Sequence, residues 1–246
     1  MKSYSAHDLW RYELKYRINF WQYFQVKQAL VPYMIKDGYT LRGPEEKYFV
    51  RSLYYDSPDY MSYTEKIDGN LGRIKMRLRT YAPWAEDRAK VRVELKTRRG
   101  NTMVKYNTFV TAQEYEEFIR TKHWPDRTNP VLSEFERLVL VRNQSPILLV
   151  QYWREGYEPR DKSGYRVTFD HRVQSAPATT LYPEQPFFRY HYAHEVILEV
   201  KCRNQRPLWL AKLMLRYGLK FTSNSKYTQG VELACPNVKT PAWSYR

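Results

Sequence analysis

Apolar and polar residues alternate strictly over 9–18, with Trp10, Tyr12, Leu14, Tyr16 and Ile18 on one side and Arg11, Glu13, Lys15 and Arg17 on the other. A two-residue period sends successive side chains to opposite faces of a strand, so this stretch predicts a β-strand with one charged face. The design returns over 72–81, where Arg73, Lys75, Arg77 and Arg79 oppose Ile74, Met76, Leu78 and Thr80. It returns again over 89–98, with Arg92, Glu94, Lys96 and Arg98 opposite Val91, Val93 and Leu95, and a turn at Gly100-Asn101 leads into a strand over 102–110 whose one cation is Lys105. Over 164–173 the pattern sets Arg166, Thr168, Asp170 and Arg172 on one face, and over 194–201 it sets Glu195, Ile197, Glu199 and Lys201 on one face. Less regular strands are predicted over 47–56 and 146–157.

The 3.6-residue period appears between these strands. It predicts a helix over 21–36, kinked or broken at Pro32, a short one over 57–66, and others over 112–122, 130–143 and 207–217. Thr111 and Asn129-Pro130 are start signals and Gly218 a stop. The stretch 174–193 holds Pro177, Pro183 and Pro186 and reads as a long crossing loop, a lid candidate; an irregular tail is expected from Pro236.

A chain of 246 residues with these alternating classes is read as one domain over 1–246, with its core over 9–233. The formal charge of +15 calls for a polyanionic partner: nucleic acid, anionic lipid, or a phosphate-rich molecule or polymer. The sequence lacks the basic-aromatic motifs of specific nucleic-acid binders. It also lacks a Walker A loop, an HExxH helix and a GxSxG elbow. Cys202 and Cys235 are the only cysteines, and no apolar run reaches the roughly 18 residues that a membrane span needs. A cytoplasmic protein is expected, with any membrane attachment through a partner.

Charge placement decides more than charge total. Two like charges about 8 Å apart repel by roughly 2 kcal/mol at an effective dielectric near 20, so several cationic strand faces need compensation by water, carboxylates or a bound anion. An α+β fold with a closed antiparallel β tunnel barrel answers this: the charged faces share one lumen, and helices cover the apolar exterior.

The ordered motifs Arg-Tyr-Glu-Leu-Lys-Tyr at 11–16, Ser-Leu-Tyr-Tyr-Asp at 52–56, Lys-Met-Arg-Leu-Arg-Thr-Tyr at 75–81, Glu-Leu-Lys at 94–96, Tyr-Trp-Arg at 152–154, Arg-Val-Thr-Phe-Asp at 166–170, Leu-Glu-Val-Lys at 198–201 and Ser-Lys-Tyr at 225–227 resemble those of the VTC (vacuolar transporter chaperone) polyphosphate polymerase domain, in the triphosphate tunnel metalloenzyme or CYTH-like superfamily. The resemblance implies a tunnel that transfers the γ-phosphate of ATP to a growing polyphosphate chain with a divalent metal, manganese first and magnesium second. It implies catalytic roles for Arg77, Arg79, Lys96, Arg154, Arg166 and Lys201, phosphate contacts at Lys15, Lys105 and Lys226, a nucleoside contact near Tyr152, and a metal carboxylate at Glu199. Lys75, on the cationic strand, and Ser225, in the Ser-Lys-Tyr motif, are further expected substrate contacts. Related triphosphatases carry Glu-x-Glu-x-Lys on the first strand, whereas Arg11 stands here at the first Glu, which argues against simple hydrolysis. A polyphosphate-binding protein without catalysis and an inorganic triphosphatase are the alternatives.

Overall fold

The structure is a computed structural model that describes residues 12–86, 89–99, 102–203, 206–235 and 238. Arg11, the expected Gly100-Asn101 turn and, apart from Val238, the expected tail lie outside the described residues. In chain order the elements are β1 (Tyr12–Asn19), α1 (Phe20–Leu30), β2 (Met34–Lys36), α2 (Gly38–Arg42), a 3₁₀ turn (Pro44–Glu46), β3 (Tyr48–Asp56), α3 (Met61–Ile67), β4 (Gly72–Thr80), β5 (Val91–Arg99), β6 (Thr102–Val110), α4 (Ala112–Thr121), α5 (Pro130–Val141), β7 (Ser145–Pro159), β8 (Tyr165–Pro177), β9 (Arg189–Tyr190), β10 (Glu195–Cys202), α6 (Leu208–Arg216) and α7 (Lys226–Ala234).

The strands form one antiparallel sheet in the order β1-β10-β8-β7-β3-β4-β5-β6, with β2 on β7 and β9 on β8. Among the described residues its hydrogen-bonded ladder stops at β1 and β6, so hydrogen bonds do not close the sheet into the expected barrel. An ion pair instead reaches from Lys96 on β5 to Glu13 on β1, at 3.6 Å.

The alternation read from sequence sorts the two faces. Apolar residues of β1, β8 and β10 (Tyr16, Ile18, Val167, Phe169, Leu198) pack beneath α1 and α6, and those of β3, β4 and β5 (Leu53, Met76, Leu78, Val93, Leu95) pack beneath α4 and α5. A third cluster lies on the charged face, where Tyr227 and Val231 of α7 meet Val50, Tyr54, Val150, Tyr152 and Ile197. No helix among the described residues is long and apolar enough to cross a membrane.

Local chemistry explains the boundaries. Thr111 and Glu114 make a capping box for α4, Asn129 caps α5 with Pro130 at its start, and Gly218 ends α6 at a φ of +61°. The helix predicted over 21–36 stops at Leu30; beyond Pro32 the chain turns extended, and Met34–Lys36 pairs with β7. Asp37 caps α2, its carboxylate accepting from the Thr40 amide at 2.8 Å. The loop read as a lid is shorter and pinned. β8 runs to Pro177, β9 pairs with it, and Leu181 is fully buried in the outer core, its amide donating to Tyr115 Oη and its carbonyl accepting from Arg51. Its first half packs on the outer core beside α4, and its last residues reach α7, Arg189 donating to the Leu233 carbonyl at 2.8 Å.

Candidate functional site

Strand register assembles the charged face row by row. Lys75, Lys96 and Lys105 stand directly opposite one another on β4, β5 and β6; the next row is Tyr54, Arg77, Glu94 and Asn107, and the next Ser52, Arg79 and Arg92. In the other half, Lys15 faces Glu199, Glu13 faces Lys201 and then Arg166, and Arg154 faces Asp170.

Carboxylates bind these cations together. Glu94, only 3% exposed, pairs with Arg77, with Lys105 at 2.9 Å and with Arg92 at 3.6 Å. Asp170 is fully buried; it accepts a two-pronged contact from Arg154 and pairs with Lys226 Nζ at 2.5 Å. Glu199 accepts from Lys201 at 2.8 Å, with Arg154 at 4.0 Å, and Glu13 pairs with Lys15 at 2.8 Å. Arg166 reaches Asp37, which approaches closely because residue 156 is glycine: a Cβ there would lie 2.0 Å from the Asp37 carboxylate. All thirteen residues predicted for the site take part in these rows and pairs or lie against them: Tyr152 sits under Arg154 and Lys226, at 5.1 and 4.9 Å from its ring centroid, and Ser225 accepts from Lys75 at 3.4 Å.

Eight of the ten predicted cations thus pair with five carboxylates (Glu13, Asp37, Glu94, Asp170 and Glu199). Lys75 and Arg79 have no carboxylate within ion-pair distance among the described residues; Lys75 touches Ser225 and the Tyr227 ring, Arg79 the Ser52 hydroxyl. Burial, with Lys15 and Lys96 nearby, brings the Lys75 ammonium down to about 7. Burial also brings Lys105 down to about 8 against the pull of Glu94. Lys15 is held above its ordinary value because Glu199 and Glu13 outweigh its burial. Burial and Glu199 push Glu13 up, but Lys15, Lys201 and Lys96 outweigh them and bring it to about 2. Glu199 is likewise held far below the usual range by Lys201, Lys15 and Arg154 despite burial.

Glu13, Glu94, Asp170 and Tyr54 are site residues the sequence reading did not assign. Glu13 and Glu94 could have been found from their places two residues before Lys15 and Lys96 on charged faces. Arg172 moves the other way. A bulge on β8, where Arg172 has a φ of +51°, shifts the register against β7 between Gln151 and Trp153 and reverses the alternation. Val173 therefore joins the inner cluster, while Arg172 lines an outer cavity of about 450 Å³ with Trp153 and His171.

For a divalent cation the relevant donors are Glu13 and Glu199, whose carboxylates repel each other across β1 and β10. Magnesium-like ions take one or two carboxylates and complete their shell with water and substrate phosphates, so this pair fits such an ion. No cluster of three or more His, Cys, Asp or Glu able to hold a metal occurs among the described residues.

Likeness to one solved structure agrees in fold. The chain resembles the crystal structure of a Bacillus halodurans protein provisionally described as an adenylate cyclase, with a TM-score of 0.54 and 12% identity over 87% of this chain and 92% of that one. A Pyrococcus horikoshii OT3 protein structure aligns with a TM-score of 0.44 and 15% identity, over 90% of this chain and 95% of that one. No curated protein matches. The model of the VTC domain matches residues 10–235, which takes in every row of the charged face, and the chain belongs to the VTC domain family.

Proposed function

We propose that the charged face binds polyphosphate and lengthens it by transfer of the γ-phosphate of ATP. The observation that carries the reading is the pair of cations without a carboxylate within ion-pair distance among the described residues, half-buried Lys75 and buried Arg79, beside the in-register row Lys75, Lys96 and Lys105. Linear phosphate supplies compensating charge at regular intervals along such rows, and Arg forks and Lys ammonium groups bind it by charge-assisted hydrogen bonds. Arg77, Arg79, Lys96, Arg154, Arg166 and Lys201 are assigned to the transferring group, and Lys15, Lys75, Lys105, Ser225 and Lys226 to the chain. Phosphoryl transfer needs mainly positioning and charge neutralisation, which fixed cations provide. Tyr152, 4% exposed under Arg154 and Lys226, serves to place those two cations and leaves little ring for a base. Glu199 and Glu13 would hold manganese or magnesium, which would supply further neutralisation of the phosphates.

A binding-only role is favoured by one observation: all five carboxylates already pair with cations. Incubation of the purified protein with ATP and manganese, with products sized on a gel, separates the readings. Polyphosphate chains support the polymerase; ADP and orthophosphate alone indicate a triphosphatase; tight polyphosphate binding without turnover indicates a binding protein.

A further inference from the structure

Residues 221–227 join strands that the ladder leaves apart. Phe221 bridges to Tyr16 on β1, the Thr222 amide donates to the Lys15 carbonyl at 2.9 Å, and Lys15 Nζ donates to the Asn224 carbonyl at 3.0 Å. Lys75 of β4 then donates to Ser225 Oγ at 3.4 Å, and Lys226 pairs with Asp170 of β8 at 2.5 Å. Three lysines of the charged face are thus referred to three consecutive residues, 224–226.

Tyr227 fixes that segment. Its ring lies 5.2 Å from that of Tyr54, and its hydroxyl donates to the carboxylate of Asp56, fully buried at the end of β3. Asp56 is itself anchored at the entry to α3, accepting from the amides of Ser57 and Ser62 at 2.8 Å each and of Tyr63 at 3.1 Å. Three amides and a hydroxyl satisfy a charge that burial would otherwise make costly. Asp56 has no part in the ion pairs of the charged face, and the proposed function assigns it no role.

We propose that Asp56 is a positioning residue for phosphate binding: through Tyr227 it sets residues 224–226, and with them Lys15, Lys75 and Lys226. The inference rests on the polyphosphate reading of this face. A purely structural Asp56 would affect melting alone, whereas a positioning one is coupled to Lys226.

The test is a double-mutant cycle on tripolyphosphate affinity, measured by calorimetry at low salt, with melting followed in parallel. Tyr227→Phe keeps the ring in the inner cluster and removes only the hydroxyl. It should weaken binding about tenfold, the equivalent of one charge-assisted hydrogen bond. In a Lys226→Ala background the same change should weaken binding by less than about threefold, because the group it positions is gone. Full additivity, or unchanged affinity in Tyr227→Phe, overturns the proposal. Should Tyr227→Phe fail to fold, Asp56→Asn, which keeps shape and one acceptor oxygen, is taken through the same cycle with the same criteria. Wild-type protein that does not bind tripolyphosphate would sink the polyphosphate reading itself; wild-type binding with additive variants would sink only the role of Asp56.

Discussion

Replacing Glu94 by Gln removes the one charge that Arg77, Arg92 and Lys105 share while leaving the volume of the side chain in place. Breaking a buried ion pair from one side costs about 3–5 kcal/mol, because the partners keep their charge and lose its compensation. The three cations retain about a quarter of their side-chain exposure, at 24%, 27% and 25%, so water screens part of the repulsion and the lower end, about 3 kcal/mol, is expected. For a chain of 246 residues that is a fall in melting temperature of roughly 6–12 °C. Bound phosphate reverses the sign, since it meets cations freed from a competing carboxylate. Saturating tripolyphosphate, at about 100 times Kd, should raise wild-type stability by about 2.7 kcal/mol and that of Glu94→Gln by more. Melting with and without tripolyphosphate at low salt, with Kd from calorimetry, reads both quantities. An apo variant that melts within about 2 °C of wild type, or one that binds tripolyphosphate more weakly, would refute the view of Glu94 as an internal stand-in for phosphate.

Other outcomes follow from the same face. With Lys75 near 7 and Lys105 near 8, the folded protein holds fewer protons than the unfolded chain from about pH 7 up to the ordinary lysine value near 10.4, so apo stability should rise across that window while tripolyphosphate affinity falls; melts and titrations from pH 6.5 to 9.5 check both directions. Glu199→Gln should abolish metal-dependent turnover and keep or tighten polyphosphate binding, whereas Arg77→Ala should lower affinity and rate together, by about 1.5–3 kcal/mol for each charge-assisted hydrogen bond lost; equal affinity losses in calorimetry with and without manganese would make Glu199 a structural neutraliser. Phe135→Ala, at a fully buried position under the outer core, should cost about 3–5 kcal/mol of stability and leave tripolyphosphate affinity unchanged, as read by denaturant unfolding and calorimetry.

The charged strands were legible because a half-buried strand writes its two faces into alternate residues, as Arg73 to Arg79 do on β4. Period alone does not report where the period breaks. The bulge at Arg172 depends on a left-handed backbone at a residue type that does not announce it, so 164–173 looked uniform when its last residues had changed sides. The turn from α1 into β2 was signalled by Pro32, but the extended course of Met34–Lys36 is dictated by the end of β7 that β3 leaves unpaired past Arg154, a long-range fact. Likewise the prolines of 174–193 marked a loop, while its seat beside α4 comes from Leu181 finding the outer core. The carboxylates escaped assignment because residue type does not distinguish a neutraliser from a metal donor; the cations around Glu13 and Glu94 do.

The separation of the two outer apolar cores from the charged face means that selection on folding and selection on chemistry act on alternate residues of the same strands. Neighbours in sequence such as Arg77 and Leu78 answer to different constraints, the first to the charges around Glu94 and the second to the helices behind it. The charged face therefore carries a standing destabilisation that the outer layers must exceed. Substituting an apolar residue of similar length for Lys75 should make the protein harder to melt and worse at its task, and a lineage that lost the need for phosphate would be expected to drift toward such residues on this face first.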